Sequence, residues 1–243
     1  MAEFVLLFLK AIKRNLSHKR GKNMMMEIEP SLKSCFPDLK VLIYEIKRVE
    51  VQKRSVELEK FKDEVMRQIR KKYDLESLKD LPTVRLYRDF FWRIGIDPTK
   101  SRPAAEALIR RILGGKPIPA INTLVDSYNL ASIKTGIALA AFDMGKMKGN
   151  LLMRPSRTGE EFSGIGMEKS MVLQGGEIVI SDEEKLVAIY PHRDAENTKV
   201  TEATKDILLM ICGVPGIREE NLLEAAQIAI EYITRFCGGV EKI

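Results

Sequence analysis

Asn122, Asp126 and Asn129 are polar side chains set in an otherwise apolar stretch, and their spacing is that of a binding wall. Positions 126 and 129 are three apart and share a helical face with position 122. Two amides and a carboxylate on one rigid face can hydrogen-bond a ligand or orient a water. The same residues have a plainer use, with Asn122 capping the helix and Asp126 and Asn129 facing solvent. A second polar group, His192, Arg193, Asp194 and Glu196, with Thr198 just beyond, closes a strand-like run. Asn122, His192 and Asp194 are the candidates for catalysis. Asp126, Asn129, Arg193, Glu196 and Thr198 are the candidates for substrate contact, with Arg193 alternatively a structural bridge to Asp194 or Glu196.

Other catalytic signatures are missing. The sequence has no G-x-S-x-G, H-E-x-x-H or phosphate-binding G-x-x-x-x-G-K-[ST] run. Gly164-Ile165-Gly166 lacks a third glycine and reads as a turn. With two histidines in the chain, His18 and His192, a Ser-His-Asp apparatus or a metal centre is not expected, and no cofactor is implied. Cys35, Cys212 and Cys237 lie far apart without a C-x-x-C pair, as buried thiols in a reducing cytoplasm would.

The elements that must hold these residues can be read from periodicity. Asn122 and Thr123 sit at an N-cap, the helix runs through Lys134, and Gly136 stops it. Upstream, Leu39 to Val51 suggests a strand, and Arg54 to Lys72 a helix with Leu58, Phe61, Val65 and Ile69 on its apolar stripe. Leu86 to Ile94 carries Phe90, Phe91 and Trp92, either core or a base-stacking platform. A helix follows around Ala107 to Leu113, closed by Gly114-Gly115. Short strands are expected at Leu151 to Arg154, Met171 to Leu173, Glu177 to Ile180 and Leu186 to Tyr190. Thr201 is expected to cap a helix ending at Cys212, and Arg218 to Phe236 a last amphipathic helix.

The chain of 243 residues is 45% hydrophobic, enough for a substantial core, and contains no apolar run of the length a bilayer span needs. Its net charge of +6 is unevenly placed. Residues 1–26 carry six cations against Glu3 alone, a net of +5, which leaves +1 for residues 27–243. Any phosphate contact by the body therefore needs a local patch, and Arg102, Arg110, Arg111 and Lys116 form the best one; an exposed helix face explains them equally well. The basic 1–26 segment has a short apolar stretch but no clear small-residue cleavage site. Translation from one of Met24, Met25 and Met26 would make it an artefact of the gene model.

The stretch I-N-T-L-V-D-S-Y-N, then G-I-A-L-A-A-F-D-M-G-K-M and L-M-R with the following G-E-E-F, resembles the B-three/B-four editing domain of the phenylalanyl-tRNA synthetase beta subunit. A second block agrees in order: Gly176 to Asp182, then Val200 to Asp206 with Ile207 to Ile211. Together they cover residues 83 to about 215. The resemblance is to free-standing proteins of that family, whose N-terminal piece looks like residues 27 to 100. It implies an α+β fold with a central β-sandwich wrapped by helices, preceded by an N-terminal strand-helix extension over 27–82 of a single 27–243 domain. It also implies a cytoplasmic, trans-acting editor that hydrolyses the ester of misacylated tRNA, with aminoacylated tRNA as partner and no membrane or metal. A noncatalytic tRNA-binding module and a binder of free amino acids are the alternatives. By position, the family's L-H-A-F-D histidine falls on Ala140, and the acidic residue that reads a tyrosine hydroxyl falls near Glu196. Both departures point to a different amino-acid specificity, or to no editing.

Overall fold

The apolar run Ile207–Ile211 is a strand at the centre of the molecule, not the end of a helix. Residues Asp206–Cys212 (β10) pair antiparallel on one side with Val41–Lys47 (β2) and on the other with Ala138–Asp143 (β3). A short continuous apolar run cannot be assigned to helix or strand by periodicity alone. Here Ile207 to Cys212 are all buried because both faces of the sheet are covered, so the alternation that marks a half-exposed strand is absent. The expected helix from Thr201 to Cys212 is thus corrected to a turn followed by this strand.

The computed structural model describes residues 24–241. The basic segment and His18 fall on residues 1–26, of which 1–23 lie outside the described residues. Among the described residues the chain is α+β. One sheet has the order β11-β2-β10-β3, where β11 is Val240–Glu241. A second has the order β1-β4-β7-β8-β9, comprising Met26–Ile28 (β1), Leu151–Pro155 (β4), Ile178–Ser181 (β7), Leu186–Ile189 (β8) and Arg193–Asp194 (β9). Glu161–Phe162 (β5) and Met171–Val172 (β6) make a separate hairpin. β1 joins the second sheet in parallel with β4 while β2 lies inside the first, so the N-terminal strands are built into both sheets.

Pairing register fixes which side chains face between the sheets. Ala140 lies opposite Met210 and Ala138 opposite Cys212, so these four share one face of the first sheet. Ile180 lies opposite Ala188 on the second sheet. All six border a single cavity. The far side of the first sheet is covered by two helices packed on each other, Thr123–Thr135 (α5) and Glu219–Cys237 (α6). The other face of the second sheet holds a small cluster of Val179 and Ile189 with Phe162, Leu173 and Ala195.

The remaining helices are Pro30–Cys35 (α1), Val56–Lys72 (α2), Pro82–Arg93 (α3) and Ala104–Leu113 (α4). α5 has the ends its sequence requires. Asn122 Oδ1 accepts from the backbone N–H groups of Leu124 and Val125, at 3.1 and 2.9 Å, and Gly136 closes the helix at φ +75°. α3 buries Phe90 and Phe91 and leaves Trp92 57% exposed, so two members of the aromatic triplet are core and the third is on the surface. Its Tyr87 hydroxyl donates to the Cys212 carbonyl and accepts from the Ala138 N–H at 3.0 Å, tying α3 to the facing ends of β10 and β3. Of the cysteines, Cys212 and Cys237 are buried as expected and Cys35 is exposed.

Candidate functional site

The cavity between the sheets has a volume of about 70 Å³. Its walls are apolar, from Ala138, Leu139, Ala140, Ile180, Ala188 and Met210, and one end carries His192 and Asp194. Pro191 and Ala104, the first residue of α4, also border it.

The β8–β9 hairpin explains why these two polar residues, and not their neighbour, reach the cavity. The chain leaves β8 at Ile189, turns through Tyr190, Pro191 and His192, and returns as β9, with the His192 N–H donating to the Ile189 carbonyl at 3.0 Å. Asp194 pairs opposite Ala188 and so falls on the cavity face; Arg193 pairs opposite Ile189 and is exposed. The Tyr190 hydroxyl anchors the turn by donating to the Gly213 carbonyl.

Both inward groups are short of partners. His192 Nδ1 is the one buried side-chain nitrogen or oxygen among the described residues that has no hydrogen bond. No hydrogen bond or ion pair reaches the Asp194 carboxyl among the described residues, and burial alone pushes its pKa up to about 7. Burial, reinforced by the Arg193 charge, lowers His192 to about 4, so the imidazole is neutral at physiological pH. The phenol of Tyr128, on α5, is raised above its ordinary value, first by burial and then by the Asp194 charge. The Cys212 thiol is raised in the same way. Tyr128, Tyr190 and Cys212 are therefore neutral groups around the carboxyl. Around neutral pH the imidazole, the phenols and the thiol are uncharged and Asp194 is the one cavity-lining group that titrates there.

The other residues expected at the site are elsewhere. Asn122 is buried and occupied by its cap. Asp126 is not solvated: it forms an ion pair of 2.6 Å with Lys62 of α2, both side chains 3% exposed, and accepts from the Ile121 N–H at 3.0 Å. Thus the face shared by 122, 126 and 129 is not a pocket wall, and Asn129 on it is half-buried. Glu196 pairs with Lys199 rather than with Arg193, and buried Thr198 lies closest to its own turn's Ala195 carbonyl. In the basic group, Arg110 is held by buried Glu106 at 2.7 Å, a carboxylate that also binds Arg88 at 3.0 Å. Arg102, Arg111 and Lys116 are exposed and have no acidic partner among the described residues. Arg102 stands two residues before Ala104 at the cavity.

In the sequence, Tyr128, Tyr190 and the alanines resemble core, and Cys212 reads as a buried thiol with no sign of the cavity. Ala140 alone carried a signal, the missing histidine of the motif.

The family model described as the B3/4 domain matches residues 86–238. The phenylalanine-tRNA ligase beta subunit of Fusobacterium nucleatum subsp. nucleatum is 33% identical over 102 residues, 42% of this chain and 12% of that protein. The corresponding subunit of Symbiobacterium thermophilum is 32% identical over 133 residues, covering 54% and 14%. The chain therefore spans only a small part of the length of these curated relatives. An N-terminal fragment of the phenylalanyl-tRNA synthetase beta-subunit from Pyrococcus horikoshii covers 92% of this chain and 52% of its own, at a TM-score of 0.48 and 14% identity.

Proposed function

The chain belongs to the B3/4 domain family, and from that membership we propose that it is an aminoacyl-tRNA deacylase acting in trans on misacylated tRNA. The observation that carries the reading is the cavity end formed by His192 and Asp194, with an unpartnered imidazole nitrogen and an unpaired carboxyl inside the matched segment. The cavity receives the side chain of the attached amino acid, and the ester stands at its mouth near Pro191 and His192.

Hydrolysis then needs little from the protein beyond selection and position. Water oxygen bonds to the acyl carbon, the acyl–ribose bond breaks, and the ribose oxygen leaves with a proton. The ester is already activated by the neighbouring ribose hydroxyl and by the α-ammonium group, so holding it against a water supplies the main advantage. His192 and Asp194 orient the acyl group; neither requires a metal or a cofactor for that. Of the candidate basic patch, Arg102, Arg111 and Lys116 have no acidic partner among the described residues and are the ones to meet tRNA phosphates.

The test is release of labelled amino acid from a panel of correctly and wrongly charged tRNAs. Selective release from a mischarged pair is expected, with that selectivity reduced in Asp194→Asn and His192→Gln proteins that remain folded by circular dichroism. A second reading, a noncatalytic tRNA-binding module, is favoured by one residue: Ala140 stands where the resembled motif has histidine. It is the outcome if tRNA binds and no ester in the panel is cleaved.

A further inference from the structure

Resting on the deacylase reading, we infer that the amino acid this site removes has a small hydroxyl-bearing side chain, serine or threonine, because the cavity between the sheets combines a small apolar body with a two-group polar end.

The size argument comes first. A cavity of about 70 Å³ is roughly half of the ~150 Å³ apolar cavity that holds benzene. A phenyl or phenol side chain does not fit, whereas a side chain of two or three heavy atoms does. The walls leave little room for adjustment, since Ala138, Ala140 and Met210 lie on strands paired on both sides or packed under helices, and Ala188 pairs directly with Ile180. Replacing the motif histidine by Ala140 has not opened the cavity to an aromatic ring.

The polar end then selects among small side chains. His192 Nδ1 has no hydrogen bond, and none reaches the Asp194 carboxyl among the described residues. A hydroxyl both donates and accepts, so one oxygen can satisfy a member of this pair in either protonation state while its carbon rests on the alanines. An alanyl side chain fits equally well in volume but leaves both polar groups unpaired. The expected discrimination against it is on the order of 10- to 100-fold. A carboxylate side chain would face Asp194, and a lysyl or arginyl chain exceeds the cavity.

The experiment is single-turnover deacylation by the full chain, comparing seryl-, threonyl-, alanyl-, tyrosyl- and phenylalanyl-tRNA, with the same comparison for Asp194→Leu. The inference expects seryl or threonyl ester to be cleaved at least 10-fold faster than alanyl, and the aromatic esters not to be cleaved above background. It also expects the serine-to-alanine ratio to fall at least 10-fold in the variant, a ratio that remains interpretable if part of the protein is misfolded. Preferential cleavage of tyrosyl or phenylalanyl ester would overturn the size assignment while leaving the deacylase reading intact. Equal cleavage of seryl and alanyl esters, or a ratio unmoved by Asp194→Leu, would overturn the role of the polar end. Absence of cleavage from every ester would overturn the deacylase reading and the substrate assignment together.

Discussion

His192 and Asp194 impose opposite pH dependences on the stability of one small region. Burial raises the Asp194 pKa from 3.8 to about 7, so between these values the folded protein keeps a proton that the unfolded chain has lost. Its stabilising effect is full below about pH 4 and is lost as pH rises through 7, with a span of about 4 kcal/mol. His192 runs the other way. Its pKa falls from 6.5 to about 4, so the folded protein binds fewer protons across that window and gains about 3 kcal/mol as pH rises through it. The two slopes offset each other in the native protein between about pH 4 and 6.5. We expect urea unfolding of His192→Gln to show stability falling from pH 4.5 to 7, and Asp194→Asn to show stability rising from pH 4.5 to 6.5. Parallel curves for both variants and the parent would mean that these groups are far better solvated than their surroundings imply. The residues that support the resemblance are, by contrast, largely satisfied: Asp143 accepts from Thr204 and the Gly145 N–H, and Glu160 clamps Arg154 bidentately and is held near pKa 2 by it.

α5 is an element whose ends were legible and whose polar face was not. Asn122 and Gly136 are local signals, and both perform the capping their residue types favour. Asp126 has a partner 64 positions earlier, Lys62, which spacing within the helix cannot show. That pair locks α2 to α5, with Glu59 giving Lys62 a second contact at 3.0 Å. Asp126→Ala removes the main countercharge of an ammonium that is 3% exposed, and should cost about 3–5 kcal/mol. The check is chemical denaturation of Asp126→Ala, Lys62→Met and the double variant. The double variant is expected to be more stable than Asp126→Ala, because it no longer buries a poorly compensated cation; if it is less stable by the full sum, the residues act independently. β10 is illegible in the sequence for a related reason. Its burial on both faces depends on sheets and helices contributed by the rest of the chain, so Ile207 to Ile211 presents no period of its own. The cavity was hidden at the same level: Ala140, His192, Asp194 and Met210 meet only after β3, the β8–β9 hairpin and β10 are assembled.

At the scale of the whole molecule, charge is divided between a basic N-terminal segment and a nearly neutral body in which part of the cations are held by acidic partners. Residues 1–26 carry +5 of the chain's +6. In the body, Lys62, Arg88, Arg110, Arg154, Lys185 and Arg235 each have an acidic partner within 4 Å. Of the candidate basic group this leaves Arg102, two residues before the cavity's Ala104, and Arg111 and Lys116 at the far end of α4. Each phosphate neutralised contributes about −0.7 to −0.9 to the slope of log affinity against log salt, so three such contacts give a slope of about −2 to −3. The six cations of residues 1–26 add to the charge available for phosphate contact, and with them the slope of the full chain should be steeper. We therefore expect fluorescence anisotropy of labelled tRNA across a KCl series to show a shallower slope for protein beginning at Met24 than for the full chain. Replacing Arg102, Arg111 and Lys116 with alanine should flatten what remains. Identical slopes for the full and shortened proteins would remove the N-terminal segment from phosphate contact. The ester preference belongs to the cavity and should survive the shortening, since seryl and alanyl groups placed on one tRNA leave the phosphates unchanged and differ only where His192 and Asp194 can read them.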